Sequence, residues 1–202
     1  MYELDQRPQG LLFYLSGKKG FAADYAAAQA EPTFCQGVEI LPDQRLEDYF
    51  CCDDRQRFAY KCPGNIYAQR GTLSFFWRSR YPVGPTPFPI FRVAFSDHSS
   101  WDHVFLRVDY NGSGFEALIT DINLSRARVS APLTPFPGPD TWTHIAVCWD
   151  ETYGIKLYLN GVLSAQEYRP GVYSAGLDQF GPHSRIISSW NVTSAYNFIR
   201  GG

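Results

Sequence analysis

The chain has 202 residues, of which 45% are hydrophobic, 16% aromatic and 19% charged, and its formal net charge is −2. This length fits a single domain with a sizeable core, and the aromatic content excludes a disordered chain. The near-neutral charge excludes a global attraction to nucleic acid or to anionic membranes, and no apolar run reaches transmembrane length. Any recognition through charge is therefore expected to be local.

The first third of the chain contains short strand-like patches separated by turn formers. These patches lie at residues 11–15, 34–40 and 50–60. Residues 22–30 form the one stretch typical of a short helix, because an alanine-rich run ends just before Pro32. A helix this short is marginal on its own, so an ordered loop is the alternative.

Alternation of side chains becomes informative in the central strands. In residues 72–80, Phe75 and Trp77 share one face of a predicted strand. Arg78 and Arg80 share the other face. Four prolines then predict a long surface loop at residues 81–89.

Three strands are predicted after this loop, and a tight turn joins the last two. They are predicted at residues 90–95, 104–109 and 115–121. Asn111-Gly112 predicts a hairpin between the last two. Arg92 and Arg107 alternate with apolar neighbours in these strands.

The stretch of residues 141–165 gives the strongest structural signal. Residues 144–149 are apolar on both alternating faces, as in a strand that is covered on both sides. Residues 155–159 then alternate apolar and polar side chains, and Asn160-Gly161 follows at once. Because both central residues of a type I′ turn need positive φ, this dipeptide predicts a tight hairpin. One further strand is expected at residues 185–190.

The same stretch resembles the signature of laminin-G-like, concanavalin-A-like jelly-roll domains. The residues that carry the resemblance are Trp142-x-His144-x-Ala146-Val147-x-Trp149-Asp150 and Gly154-Ile-x-Leu-Tyr-Leu-Asn-Gly161, with looser matches at residues 10–15 and 71–77. The resemblance implies an all-β, two-sheet antiparallel jelly-roll sandwich over residues 1–202. It also implies a carbohydrate-binding or accessory module of a larger polysaccharide-acting protein, extracellular or periplasmic in location.

The end of the sequence departs from the resembled family. Members of that family finish with a strand that pairs near the amino-terminal one, and here that strand would start at Arg200-Gly-Gly202. The resemblance therefore implies a fragment of a longer protein that lacks a final strand. The sheet edge would then be open or filled by a partner.

Catalytic motifs of this fold are missing from the sequence. None of the seven glutamates has the Glu-x-Asp-x-x-Glu spacing with which retaining glucanases aim their carboxylates into one groove. The Gln-x-His pattern of related alginate lyases is missing as well. A non-catalytic glycan-binding module is therefore favoured. A structural or adhesion module is the first alternative, and a lyase or hydrolase with an unfamiliar site is the second.

One polar stretch stands out as a candidate site. Asp97-His98-Ser-Ser-Trp101-Asp102-His103 places two Asp-His pairs around a tryptophan. These residues are candidates for glycan binding, for an acid and base pair, or for a metal held by Asp97 and Asp102. Calcium would be favoured, because carboxylates suit a hard cation. The alternative is a surface loop whose aspartates cap backbone amides.

A second candidate site is a set of arginines on strands, Arg78, Arg80, Arg92 and Arg107. Each should point away from the core, and together they could form a basic face of one sheet. Guanidinium groups pair bidentately with carboxylates, so such a face would suit an acidic, uronic-acid-containing glycan. The alternative is a solvated face on which Asp109 and Glu116 are salt-bridge partners.

The five cysteines are irregularly spaced and lack the spacing of zinc ligands. Cys148 alternates into a buried strand and is interpreted as a small core residue. A disulfide from Cys51 or Cys52 to Cys35 or Cys62 is one possibility, and plain thiols are the other.

Overall fold

A computed structural model describes residues 9–52, 56–95, 104–120, 126–139, 141–169, 180–188 and 197–201. Across these residues the regular secondary structure is entirely β, which confirms the predicted fold class. This part of the chain accordingly has no helix long and apolar enough to cross a membrane. The strands are β1 (Phe13–Tyr14), β2 (Tyr25–Ala26), β3 (Phe34–Gln36), β4 (Glu39–Asp43), β5 (Glu47–Cys52), β6 (Arg57–Lys61), β7 (Arg70–Ser79), β8 (Phe88–Ala94), β9 (Val104–Tyr110), β10 (Gly114–Thr120), β11 (Arg126–Pro132), β12 (Thr143–Asp150), β13 (Gly154–Leu159), β14 (Val162–Tyr168), β15 (Arg185–Ser188) and β16 (Asn197–Gly201).

Two seven-stranded antiparallel sheets make up the sandwich. The first, called here the β9 sheet, has the strand order β11-β10-β9-β8-β15-β6-β3. The second, the β7 sheet, has the order β14-β13-β12-β7-β16-β5-β4. β1 and β2 form a separate two-stranded sheet. Strands that are distant in sequence lie side by side in both large sheets, as crossing connections in a jelly roll require.

Large aromatic side chains fill the space between the two sheets. Phe75 and Trp77 are buried on the inner face of β7, as the alternation predicts. The Trp77 ring centre lies 5.3 Å from that of Phe115 on β10, and the Trp149 ring centre lies 5.8 Å from that of Phe105 on β9. Edge-to-face contacts of this kind stabilise a core beyond the area they bury. They hold the β7 sheet against the β9 sheet.

Both predicted Asn-Gly turns are present. Asn160 and Gly161 have φ angles of 50° and 80°, as a type I′ turn requires. The Asn160 side-chain oxygen accepts a hydrogen bond from the His144 amide at 3.0 Å. At the other turn, the Asn111 side-chain oxygen accepts one from the Gly114 amide at 3.0 Å. Asn111 thus closes its own turn, whereas Asn160 ties its turn to the neighbouring strand β12.

Residues 22–30 do not form the predicted helix. β2 lies within this stretch and pairs with β1. The Asp24 carboxylate accepts a hydrogen bond from the Ser16 amide at 2.6 Å, and the Ala28 amide donates to Asn65 Oδ1 at 3.0 Å. The Asp24 carboxylate and the Ala28 amide thus form hydrogen bonds with residues outside this stretch instead of supporting a local helix. A marginal helical propensity is overridden for that reason.

Two strands extend the sequence-based assignment. β11 has only small apolar side chains on its buried face, so its hydrophobic pattern is weak: Ala127, Val129 and Ala131. β16 pairs with both β7 and β5. A strand therefore does form in the region where the resembled family's last strand was expected to start.

All five cysteines are free thiols. Cys51, Cys52 and Cys62 are buried, and burial raises the pKa of the Cys62 thiol. Cys148 is half-buried on the outer face of β12, where its sulfur accepts a hydrogen bond from the Thr72 hydroxyl at 3.4 Å. The predicted core position of Cys148 is therefore wrong, because its strand presents the opposite set of alternating residues to the core.

Gly71, at the start of β7, lies against the indole ring of Trp149. A Cβ atom at Gly71 would approach Trp149 Cζ2 to 2.4 Å, and the ring is held by a hydrogen bond from Nε1 to the Tyr67 carbonyl at 3.1 Å. We expect Gly71→Ala to lower the free energy of unfolding by about 1–3 kcal/mol, because a packed ring must shift to admit the methyl group. Denaturant unfolding followed by tryptophan fluorescence measures the change.

Gly84→Ala is the matched control, since a Cβ atom at Gly84 meets no heavy atom within 4 Å. Its free energy of unfolding should stay within about 0.5 kcal/mol of the parent value. Equal stability of the two variants would contradict the close packing of Trp149 against β7.

Candidate functional site

Five of the predicted site residues lie outside the described residues: Asp97, His98, Trp101, Asp102 and His103. The glycan, acid-base and calcium interpretations of this stretch therefore stay predictions. In the part of the chain that the structure describes, no group of three or more His, Cys, Asp or Glu side chains is placed to hold a metal ion.

The four predicted arginines divide between the two sheets. Arg78 lies on β7, and Arg80 follows that strand with its guanidinium 5.8 Å from the ring centre of Tyr81. Arg92 and Arg107 lie on β8 and β9 of the other sheet. The four therefore do not form one basic face. Alternation within a strand predicts the face on which a side chain lies, but not the sheet to which the strand belongs.

Arg78 is held in a cluster on the outer face of the β7 sheet. Its guanidinium carbon lies 4.7 Å from the ring centre of Trp142 and 4.9 Å from that of Tyr49. Its Nη1 atom lies 3.5 Å from Asp43 Oδ2, and the Trp142 indole N–H donates to the same oxygen at 3.2 Å. Cation–π and ionic contacts thus engage Arg78 on several sides. This arrangement braces the sheet rather than presenting a guanidinium to a ligand.

Arg92 and Arg107 are direct partners in the pairing of β8 with β9. Arg92 is only 1% exposed. Burial, together with the charges of Arg57 and Arg107, lowers the pKa of Arg92 to about 10, so the group stays charged at neutral pH. A buried cation beside two like charges concentrates positive potential at this face.

A β-bulge in each of β8 and β9 determines which side chains reach this face. The extra residues are Ile90 in β8 and Phe105 in β9, and both are fully buried in the core. Simple alternation would place Phe105 on the same face as Arg107, but the bulge turns the ring inward. Arg92 and Arg107 consequently share the outer face of the β9 sheet.

Two carboxylates lie among these arginines, as the salt-bridge interpretation predicts. Arg107 Nε donates to Asp109 Oδ2 at 2.6 Å, and Arg128 Nε lies 3.6 Å from Glu116 Oε1. Burial raises the pKa of Asp109 to about 6; Arg107 opposes this shift and the charge of Glu116 adds to it. Asp109 therefore accepts a proton far more readily than an ordinary aspartate. Below pH 6 it loses its negative charge and no longer offsets the charge of the neighbouring arginines.

β11 adds two arginines that lie outside the predicted set. Arg126 and Arg128 alternate with buried alanine and valine residues, so they lie on the outer face. Arg128 pairs with Leu118 on β10, and Leu118 pairs with Arg107, which places the two arginines in one row across three strands. The period of two is present in the sequence at this point and could have identified both.

Arg57 on β6 completes the group. Its charge acts on Arg92, and its guanidinium carbon lies 4.8 Å from the ring centre of Phe34 on the edge strand β3. Phe34 is 38% exposed, so a cation and an aromatic surface are presented together at the sheet edge. We define the arginine face as Arg57, Arg92, Arg107, Arg126 and Arg128. These five guanidinium groups share the outer surface with the cations Lys61 and Arg185 and with the carboxylates of Asp109 and Glu116. The Glu167 carboxylate of β14 also reaches this surface, where it accepts a hydrogen bond from the Arg128 amide at 2.7 Å.

No family model and no curated protein matches the chain. Solved structures do match. The receptor-binding domain of botulinum neurotoxin D is similar over 95% of this chain and 47% of that chain, with a TM-score of 0.69 and 13% identity. The serotype D ligand-binding domain in complex with N-acetylneuraminic acid is similar over 95% of this chain and 46% of that chain, with a TM-score of 0.69 and 14% identity. The serotype G binding domain is similar over 95% of this chain and 46% of that chain, with a TM-score of 0.68 and 12% identity.

The chain spans about half the length of these solved structures. Identities of 12% to 14% show a shared fold and leave the function to be argued from the site. The chain therefore has the all-β sandwich fold found within these receptor-binding domains.

Proposed function

We propose that the chain is a non-catalytic glycan-binding module whose ligands carry carboxylate groups recognised by the arginine face. The observation that carries this proposal is the excess of cationic over anionic side chains on one sheet face, in a protein whose net charge is −2. The laminin-G-like relationship belongs to the same proposal, as does the role of accessory module in a larger extracellular or periplasmic polysaccharide-acting protein.

The chemistry of the arginine face suits an acidic sugar. A guanidinium group donates two parallel hydrogen bonds to a carboxylate, which gives orientation as well as attraction. One of the similar solved structures, the serotype D ligand-binding domain, is a complex with N-acetylneuraminic acid, a carboxylated sugar. That protein contains a sandwich of this fold within a chain about twice as long, so its complex supports a carboxylated sugar as the class of ligand.

The exposed and the buried arginines would have different roles in binding. The Arg128 side chain is 51% exposed, and Arg57 is half-buried beside the exposed ring of Phe34, so these two can reach a polymer on the surface. Phe34 offers an apolar plane against which the C–H face of a pyranose ring can pack. Arg92 is buried and contributes its positive field rather than a direct contact.

The two carboxylates of the face favour binding over catalysis. A glycosidase needs one carboxylic acid and one carboxylate that are both directed at the scissile bond. Asp109 instead accepts a hydrogen bond from Arg107, and Glu116 accepts one from the Ser130 hydroxyl at 2.9 Å. Their contacts are those of counter-charges that hold the arginines in position.

Removing an exposed cation from the face should weaken binding to acidic polysaccharides. We expect Arg57→Gln and Arg128→Gln each to lower the affinity about tenfold, because each variant loses a charge-assisted hydrogen bond to a ligand carboxylate. Affinity-gel retardation over a series of uronic-acid-containing, sialylated and neutral polymers measures the effect, with salt held constant.

Arg70→Gln is the matched control. The Arg70 side chain is 63% exposed and lies 3.9 Å from Glu151, much as Arg128 lies near Glu116, but it starts β7 of the other sheet. This variant should retain the parent affinity. An equal loss of affinity in Arg70→Gln and Arg128→Gln would place binding outside the arginine face.

Binding should strengthen as the pH falls from 7 to 5. Burial raises the pKa of Asp109 to about 6, so this carboxyl gains a proton in that range while the sugar carboxylates stay ionised. Loss of one negative charge near Arg107, Glu116 and Arg128 should raise the affinity by about threefold. Asp109→Asn should bind with the low-pH affinity at both pH values, and a pH response that persists in this variant would assign the titration elsewhere.

The same carboxyl gives a stability test with a defined sign. A folded-state pKa near 6, raised from 3.8, means that the folded protein binds this proton more tightly than the unfolded chain does. The contribution of Asp109 to the free energy of unfolding is therefore full below about pH 4 and is lost as the pH rises through 6. The stability of the parent relative to Asp109→Asn should fall by about 1–3 kcal/mol across that window in denaturant titrations.

A docking module is the second candidate function, and the edge strand β14 favours it. In the described residues β14 pairs only with β13, and it exposes Val162, Leu163 and Tyr168, the last by 76%. Exposed apolar residues on an unpaired edge suit strand addition by another domain. A folded sample that no polysaccharide retards would favour this function over glycan binding.

A further inference from the structure

The first half of β7 has a partner strand on only one side among the described residues. On one side, β12 pairs with residues 70–77 of β7, from Arg70 opposite Asp150 to Trp77 opposite Thr143. On the other side, β16 pairs with residues 75–79 alone, and its last described residue, Gly201, lies opposite Phe75. Residues 70–74 therefore present a row of backbone hydrogen-bonding groups beyond the end of β16.

A cavity of about 520 Å³ lies along this open edge. Its walls are residues 70–75 of β7 and the amino-terminal segment 10–13. Its floor is apolar and includes Phe58, Tyr60, Phe75, Phe91, Trp149 and Ile186. An added β-strand suits a free strand edge beside an apolar floor. Its main chain can form hydrogen bonds with the edge, and every second side chain can pack on the floor.

We propose that this cavity is a strand-binding slot, filled by an extended polypeptide segment that continues the line of β16. A segment that continues β16 would enter the cavity without a turn, because β16 already runs antiparallel to β7 and Gly201 lies next to the cavity, opposite Phe75. Continued register would place successive residues of the occupant opposite Leu73, Thr72, Gly71 and Arg70. This inference concerns the β7 sheet and is independent of glycan binding by the arginine face.

The register specifies the chemistry of the occupant. Phe75 faces the core, so residues opposite Leu73 and Gly71 point into the cavity and should be apolar. Residues opposite Thr72 and Arg70 point outward and should be polar. The Arg70 side chain is 63% exposed, so an acidic residue opposite it would form a cross-strand ion pair. A bound sugar is disfavoured, because the lining is mainly apolar. Two of its polar groups, the Tyr60 hydroxyl and the Asn65 amide, already donate hydrogen bonds to backbone carbonyls.

Hydrogen exchange tests the slot in the chain as it stands. Amides of residues 70–74 that point away from β12 should exchange at least about tenfold faster than the β16-bonded amides of residues 75–79, although all belong to one strand. Equal protection along β7 would overturn the proposal, because it would mean that the edge is already paired.

A chain extended beyond Gly202 tests the occupant. Appending Val-Thr-Val-Glu places the valines opposite Leu73 and Gly71 and the glutamate opposite Arg70. We expect the melting temperature to rise by about 4 °C or more and the amides of residues 70–74 to become protected. The matched control appends Thr-Val-Glu-Val, which has the same composition with the opposite alternation, and it should produce neither change.

The outcomes distinguish the source of the strand. Stabilisation by Val-Thr-Val-Glu alone supports a continuation of β16. Equal effects of the two extensions, or no effect of either, would overturn the proposal. The parent chain is also incubated with a free Val-Thr-Val-Glu peptide at millimolar concentration. Protection of residues 70–74 by this peptide but not by the extension would assign the slot to a separate polypeptide and overturn the in-line occupant.

Discussion

The pairing of β7 with β12 is the interaction on which the rest of the molecule depends. It runs in register over the length of β12 and joins the central strands of the β7 sheet. Because successive side chains point to opposite faces, this one register sends Trp77 and Trp149 into the core and Arg78 outward. A slip of one residue would exchange those two sets, so the burial of two indole rings locks the register. The outward position of Arg78 follows from this requirement, whereas the orientation of Arg92 and Arg107 follows from the pairing and bulges of β8 and β9.

The arginine face departs from what stability alone would favour. Burying a cation such as Arg92 requires removing it from water, and Arg57 and Arg107 add repulsion. Asp109 is buried in the same region at a raised pKa, so neither charge has its most favourable environment. Departures from local rules in a packed domain are expected at functional sites. In this protein such departures, the buried charges of Arg92 and Asp109, lie together on the outer surface of the β9 sheet.

Local periodicity accounts for most of what the sequence predicts. The period of two in residues 72–80 and 155–159 and the two Asn-Gly turns were sufficient to identify the central strands, because these signals arise within single strands. Placing Arg78 and Arg92 on one sheet failed because sheet membership depends on pairing between distant segments. The inward position of Phe105 depends on a bulge, which alternation cannot reveal. Arg126 and Arg128 were not predicted, although β11 has a period of two, because the buried side chains of that strand are small and give a weak hydrophobic signal.

Charge distribution explains how a face rich in arginine can exist without general attraction to polyanions. The chain has 18 basic and 20 acidic residues, so at distances beyond a Debye length of about 8 Å the protein does not act as a cation. In the proposed binding mode, attraction would become strong only where a ligand carboxylate comes within reach of Arg57 or Arg128. Nucleic acid would gain little steering from such a surface, whereas a flexible acidic glycan can place single carboxylates on it. Local concentration of charge on an overall neutral molecule therefore fits the proposed short-range recognition of separate carboxylates better than general binding to a charged backbone.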